Sequence, residues 1–435
     1  MGITILLLYV GAFLGAFFAV KYITQIFFSR VDYTSLKTVT FGDESAVKAN
    51  RVASVLSVIT ILLLWVAFTN STLPLPKAPA PFEGTVEFTY TAKAPDGATD
   101  DANVTIIVYR EDISQTLDEN GEPGQIPTTP EIEPGDGFAK NDATVVPRYG
   151  YKVISVRGND DVSRRDGSEI VAINGQPIQP GEAIRLPEGD VGLTDKGTPF
   201  FEPATGQRMQ RLYLPAPEVA TERLGDLFVE GYRNFTLIEH TWISLQRVIL
   251  GFFFGTLLGV PLGYAMGLTN WARGWFDPIV EFMRPVPPLA LIPLMIIWFG
   301  IGEQSKVILL FLAALWIMAI AARSGVSGVA ITKVHAAYSL GASKWQILRK
   351  VIIPNSLPEI FTGARVAMGV CWGTVVAAEL VAAERGLGMM IMVASKFQLT
   401  DIVIVGIILI GVIGFAIDVG IRQLEKFLVP WKGRI

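Results

Sequence analysis

"HAAYSLGASKWQILRKVIIPNSLPEIF", His335 to Phe361, is a polar, cationic interruption between two long apolar runs. Within it Ala337, Leu340, Gly341, Trp345 and Leu348 recur at three- and four-residue steps, the spacing of one helix face. His335, Ser339, Ser343, Lys344, Arg349 and Lys350 fill the other positions. Proline lacks a backbone N–H and clashes with the preceding turn, so Pro354 is expected to stop this helix. Ser356 and Glu359 in "SLPE" have capping-box spacing, which would open the next helix. The stretch therefore reads as one short amphipathic helix at a membrane surface, rigidly joined to the apolar run after it.

The flanking sequence supplies the membrane. Of 435 residues, 51% are hydrophobic and 17% charged, against about 25% charged in an ordinary soluble domain. Seven runs long enough to cross a hydrocarbon layer of about 30 Å are expected near 3–28, 52–70, 243–268, 280–301, 306–324, 357–380 and 400–424. No positive charge precedes the first run, while Lys21 and Arg30 lie at its far end. That polarity is the reverse of a cleaved leader, so a retained helix with its N-terminus outside is expected. Alternation then puts 21–52, 269–284, 323–350 and 422–435 in the cytoplasm, with 16 Lys+Arg among them. The short outer loops, 301–306 and 379–401, hold only Lys306, Arg385 and Lys396. This asymmetry follows the positive-inside rule and makes the His335 segment and the C-terminus cytoplasmic.

Residues 74–215 then fall outside. They hold 23 Asp+Glu against 13 Lys+Arg, whereas the rest of the chain holds 17 against 23. That split is unlike the single basic patch of a nucleic-acid binder. "GTVEFTYTA" (Gly84–Ala92) puts Val86, Phe88 and Tyr90 on one face, "NVTIIVYR" and "YKVISVR" look similar, and "EIVAINGQPI" carries an Asn-Gly hairpin turn. A small β-rich domain is expected, with 112–146 mostly loop. It has no His and no Cys, which excludes a Ser-His-Asp triad or a Cys/His zinc site inside it. Across the whole chain there are two histidines, His240 and His335, and one cysteine, Cys371. An intrachain disulfide is impossible, no metal site is expected, and an intramembrane enzyme has little to work with.

The apolar runs are unusual in their glycine and proline. Gly251, Gly255, Gly259, Gly263 and Gly267 repeat at strict four-residue spacing, a stripe on which a second backbone can pack closely. It serves ordinary intrachain packing or lines a moving interface. Pro285, Pro287, Pro288 and Pro293 fall within one expected span, where freed carbonyls are tolerated only beside protein or a water-filled cavity, so they argue for a functional break in it rather than an inert anchor. Ionisable groups in the spans are Arg247, Arg365, Glu379 and Asp418, read first as interfacial or interhelical partners. The His335 helix either anchors the chain to anionic lipid or is a handle through which a soluble partner moves the neighbouring spans.

"HAAYSLGASKWQILRKVIIP" resembles the coupling motif of binding-protein-dependent ABC importer permeases, with Ala336, Ala337, Gly341 and Pro354 at motif positions. "LGFFFGTLLGVPLGYAMGL", "MRPVPPLALIPLMIIWFGIGE", "FTGARVAMG", "VAAELVAAERGLG" and "YLPAPEVATERL" look like the nitrate/taurine/alkanesulfonate branch of that family. The resemblance covers 213–435 and the 52–72 helix. It implies a type I permease fold: an all-α polytopic membrane protein of about seven spans, here with an inserted extracytoplasmic β-rich domain. The implied organisation is two helices in 1–73, a periplasmic β-rich insertion in 74–212 and a five-helix permease domain in 213–435, with a coupling helix at 335–349. It further implies a permease homodimer in the bacterial inner membrane, in contact with lipid, a separate ABC ATPase and a periplasmic binding protein. His335, Ala336, Ala337, Leu340, Gly341, Ala342, Trp345 and Pro354 would carry the ATPase coupling. Gly255, Gly259, Gly263, Pro285, Pro287, Pro288, Trp316 and Glu379 would belong to the translocation path or its packing.

The chain has no G-x-x-x-x-G-K-[ST] loop to cradle phosphates. It binds no cofactor on this reading; ATP and Mg belong to the partner, and the chain is not itself an enzyme. Taurine or another small sulfonate is the first expected substrate, with nitrate, a bicarbonate-like anion or an aromatic acid behind it. Two features depart from the family pattern: His335 stands where the motif has Glu, and the N-terminal helix and insertion are additional. The competing reading is a membrane-anchored signalling or scaffold protein acting through its outer domain.

Overall fold

The computed structural model describes residues 2–28, 51–110, 125–162 and 166–431. Most of the loop expected over 21–52, the part of the expected 112–146 loop up to residue 124, and residues 432–435 lie outside the described residues. The chain divides into two compact units, Met1–Pro217 and Glu218–Ile435.

The first unit opens with two apolar helices, α1 (Gly2–Phe28) and α2 (Arg51–Ala67). A two-sheet β region follows: β1 (Gly84–Lys93), β2 (Thr99–Tyr109), β3 (Asp142–Pro147), β4 (Lys152–Val153), β5 (Glu169–Ile173), β6 (Gln176–Pro177), β7 (Ala183–Leu186), β8 (Gly189–Leu193) and β9 (Pro199–Pro203). One sheet has the order β3-β2-β1-β5-β6 and the other β4-β9-β8-β7. Alternation along β1 buries Val86, Phe88 and Tyr90, and these meet Val191, Leu193 and Phe201 of the second sheet in one core. Period-two patterning puts alternate side chains on the same face, which is why this strand was legible. Asn174 and Gly175 both have positive φ (50° and 71°) between β5 and β6, as a type I′ hairpin turn requires. "YKVISVR" is a strand only at Lys152–Val153, although Ile154 and Val156 still enter the core.

One polar group sits at the edge of that core. The Tyr90 hydroxyl and the Lys140 backbone N–H both donate to Asp160 Oδ1, at 3.2 and 2.7 Å. Asp142 Oδ2 and Asp160 Oδ2 are buried without a hydrogen-bond partner among the described residues. Burial, and then the neighbouring Asp160 charge, push the Asp142 carboxyl up to about 7; burial raises Asp160 as well.

The second unit is helical: α3 (Pro217–Val229), α4 (Leu237–Leu268), α5 (Asn270–Met283), a 3₁₀ turn (Pro288–Leu291), α6 (Ile292–Phe299), α7 (Glu303–Ser327), α8 (Ile331–Ser339), α9 (Lys344–Ile347), α10 (Ile353–Ala382), α11 (Leu387–Lys396) and α12 (Thr400–Leu428). Among the described residues, α4, α7, the run from Lys344 to Val381 and α12 are long and apolar enough to cross a membrane. α5 and the segment 288–299 make a fifth span only as a pair bent by 90°. The apolar parts of α1 and α2, Leu7–Ile23 and Val52–Ala67, are shorter.

Two expectations are corrected here. The span expected over 280–301 is not one helix. Prolines at 285, 287 and 288 remove the N–H donors that the carbonyls of 281, 283 and 284 would need, and the chain turns between α5 and Pro288. Conversely, Pro354 does not stop its helix. A π-turn at Leu348–Ile352 passes the chain from α9 directly into α10, with Pro354 in the first turn of the latter, where a missing N–H is harmless. "SLPE" is therefore not a cap. Ser356 instead bonds the Ile353 carbonyl (2.9 Å) and the Tyr264 hydroxyl (2.5 Å). The capping box in this region is Ser343–Gln346, at the start of α9.

The glycine stripe packs α4 on α7. A Cβ at Gly255 would lie 2.5 Å from the Ala314 Cβ and 2.8 Å from the Phe311 carbonyl oxygen. One at Gly259 would lie 2.6 Å from the Leu315 carbonyl oxygen, and one at Gly263 2.3 Å from that of Ala319. The stripe makes a close intrachain contact: in lipid the backbones must approach to gain dispersion, because hydrophobic burial adds little there.

Candidate functional site

Three places in the second unit bring the predicted residues together. The first is a buried ionic knot. Arg247, on α4 and 1% exposed, points its guanidinium at Glu303, the first residue of α7. Nε and Nη2 each donate at 2.6 Å to a different oxygen of that carboxylate, the planar two-point pairing that arginine allows. Nη1 donates to Glu379 Oε1 (2.6 Å) and to the Arg385 carbonyl (3.0 Å). Glu379, 1% exposed near the end of α10, also accepts from the Ser244 hydroxyl (2.7 Å) and the Gly388 N–H (2.9 Å). The Ser244 Oγ accepts from the Leu387 N–H, and His240 Nδ1 accepts from the Gly386 N–H, both at 3.0 Å. His240 Nε2 then carries the proton and donates to the Tyr232 carbonyl at 3.1 Å.

The knot thus closes α4, α7, α10 and the Gly386–Gly388 loop on one another with the buried charges paired. Glu379 was grouped with the path, yet its oxygens are engaged by protein donors. His240 is a structural histidine locked in one tautomer. Glu303 and Ser244 went unnoticed in the sequence because their partners lie 56 and 135 residues away.

The second place is a cavity of about 210 Å³. Arg284, Pro285, Pro287 and Pro288 form one wall, while Leu312 and Trp316 of α7 face them. Three predicted path prolines and Trp316 therefore share one space, whereas Gly255, Gly259 and Gly263 lie in the α4–α7 seam. Arg323 pairs with Asp277 and with Glu281 (3.0 Å), tying α7 to α5 on the near side of the break.

The third is the surface segment from Ile331 to Ile352. It is two helices, not the single helix expected over 335–349. Gly341, at φ +82°, makes the left-handed turn between α8 and α9, a conformation in which glycine avoids a Cβ clash. Of the apolar face read from the sequence, Leu340 is 89% and Trp345 66% exposed while Leu348 is half-buried, and the neighbouring Tyr338 is 68% exposed. His335, Ala336 and Gly341 are exposed, Ala337, Ala342 and Pro354 half-buried. Large apolar side chains thus lie exposed on adjoining turns of this segment.

The model of the binding-protein-dependent transport system inner membrane component matches residues 255–429. The chain is 47% identical to the taurine transport system permease protein of Escherichia coli over 239 residues, 55% of this chain and 87% of that protein. It is 36% identical to the putative aliphatic sulfonates transport permease protein of Bacillus subtilis (50% of this chain, 78% of that one). It is 30% identical to the nitrate import permease protein of Synechocystis (50% and 81%). The chain belongs to the family of binding-protein-dependent transport system inner membrane components.

Proposed function

We propose that this chain forms the translocation path for a small anion, a sulfonate such as taurine first, and that ATP hydrolysis on a separate subunit drives transport. The observation that carries this reading is the 47% identity extending over 87% of a taurine transport permease. The exposed Tyr338, Leu340 and Trp345 around the Gly341 turn form the surface on which that ATPase, holding ATP and Mg, docks. Its closure moves α8 and α9, and through the unbroken run from Lys344 into α10 the motion reaches the spans. Two copies make the pore in a lipid bilayer, and a binding protein delivers substrate from outside. The β-rich region lies on that outer side and contacts the binding protein; the C-terminus and the 331–352 segment lie in the cytoplasm. Placing taurine and other sulfonates before nitrate follows the order of identity among those relatives.

The test is uptake of radiolabelled taurine into proteoliposomes holding this chain, its ATPase partner and the binding protein. Accumulation that requires ATP hydrolysis supports the reading. Equal uptake without ATP, or none for taurine, nitrate and bicarbonate alike, rejects it.

A further inference from the structure

The surface segment 331–352 leaves the helical unit after α7 and returns to it at the start of α10, and one side chain closes that neck. Asn355, in the first turn of α10, uses both ends of its amide. Its Nδ2 donates to the Val351 carbonyl in the π-turn at 2.7 Å. Its Oδ1 accepts from the Nζ of Lys333, the third residue of α8, at 2.8 Å. Pro354, just before it, brings no backbone donor to the carbonyls of that turn; the Asn355 amide supplies one. Ser356, just after it, is fully buried. Its hydroxyl bonds that of Tyr264 on α4, and a Cβ added at Gly325 of α7 would lie 2.9 Å from its carbonyl oxygen. The ends of α4 and α7 and the bases of α8 and α10 therefore meet at two consecutive residues.

We propose that Asn355 and Lys333 are positioning residues for coupling: their hydrogen bond clasps α8 to the base of α10, so that α8, α9 and the π-turn move as one lever. The proposal rests on the reading of this segment as the ATPase dock and says how the dock is held. Gly341, at φ +82°, ends the helical path from α9 back into α8. On its other side α8 joins α7 only through residues 328–330, and its N-cap position, Ala330, offers no side-chain bond. Without a second tie, a push on Tyr338 or Leu340 would swing α8 about these two joints and leave α10 in place. The clasp fixes the first turn of α8 to the first turn of α10, so the push reaches both. Ser356 then passes it to α4 through Tyr264 and to α7 through Gly325, where the backbones touch. Lys333 is exposed and Asn355 half-buried, and a bond between such groups adds little to global stability. Its role is geometric.

In proteoliposomes of the full transporter, Lys333→Met and Asn355→Ala are each expected to lower the taurine accumulated per ATP hydrolysed. The fall should be about 3- to 10-fold, the equilibrium shift of one ordinary hydrogen bond. The double variant should do no worse than Asn355→Ala, because both substitutions remove the same bond. Lys333→Arg, which keeps a donor, should retain the wild-type ratio. A direct measurement covers a variant that assembles poorly. With Cys371 replaced by alanine, spin labels at Ser339 of α8 and Val366 of α10, both exposed, report the distance between the two helices in the detergent-solubilised chain alone. Lys333→Met should broaden that distribution and Lys333→Arg should not. An unchanged transport ratio in Lys333→Met, an unbroadened distribution, or effects that multiply in the double variant each overturn the clasp and leave the permease reading standing. A wild type that hydrolyses ATP yet transports no small anion overturns both.

Discussion

The α4–α7 seam and the proline-broken span adjoin within one helical unit, yet they solve opposite problems. The seam is glycine on one side and closed at one end by the Arg247 knot, so its backbones touch and its charges are paired. The broken span gives up helical hydrogen bonds at three prolines and leaves a cavity lined also by Leu312 and Trp316. The first arrangement is filled by packing and pairing; the second leaves space beside the prolines.

Several substitutions set the two regions against each other. Arg247→Met should have the largest effect, leaving the fully buried Glu379 carboxylate without its cation. A loss of about 3–5 kcal/mol is expected, read as a drop in the thermal midpoint of the detergent-solubilised chain. Retention of wild-type stability would show that the knot is not structural. Gly255→Leu should cost about 1–3 kcal/mol by overpacking, since its Cβ meets the Phe311 carbonyl at 2.8 Å; the same assay measures it. Pro287→Ala should change the midpoint by less than either while altering taurine half-saturation, which inverts the ranking between stability and transport. Equal effects of Gly255→Leu and Pro287→Ala on uptake would erase the distinction.

Gly341→Ala tests the handle. The side chain has open space around it, so the cost is only the left-handed backbone, about 1–2 kcal/mol. The thermal midpoint should drop by no more than that strain accounts for, whereas ATP-coupled uptake should fall. The smallest effect contrasts paired with unpaired buried charge. Asp142 holds its proton up to about 7, above its unfolded value of about 3.9. Its contribution to stability is therefore complete below the unfolded value and is lost as pH rises through about 7. Amide exchange in β1–β3 should quicken between pH 5 and pH 8 in the wild type and change less in Asp142→Asn; identical profiles would contradict the assignment.

Period-two alternation made β1 and β2 legible, and four-residue glycine spacing made the α4 seam legible, because both patterns are local. The proline-rich run signalled a break, but not that it would bend by 90°, since the direction depends on α7. Pro354 misled for a related reason: a π-turn absorbs it, and no rule of single residues anticipates that. Residues 335–349 read as one helix because Gly341 fits the apolar face in composition; its positive φ is what divides them. The knot was half visible, in Arg247 and Glu379, while Glu303, Ser244 and the Gly386–Gly388 loop join from afar.

The measurement with most at stake is hydrolysis-driven taurine uptake in the reconstituted transporter, compared between wild type and Gly341→Asp. Wild type should accumulate taurine only while ATP is hydrolysed, and the variant should bind into the membrane normally yet accumulate none. Undiminished uptake by Gly341→Asp would contradict the assignment of residues 331–352 as the place where the motor acts.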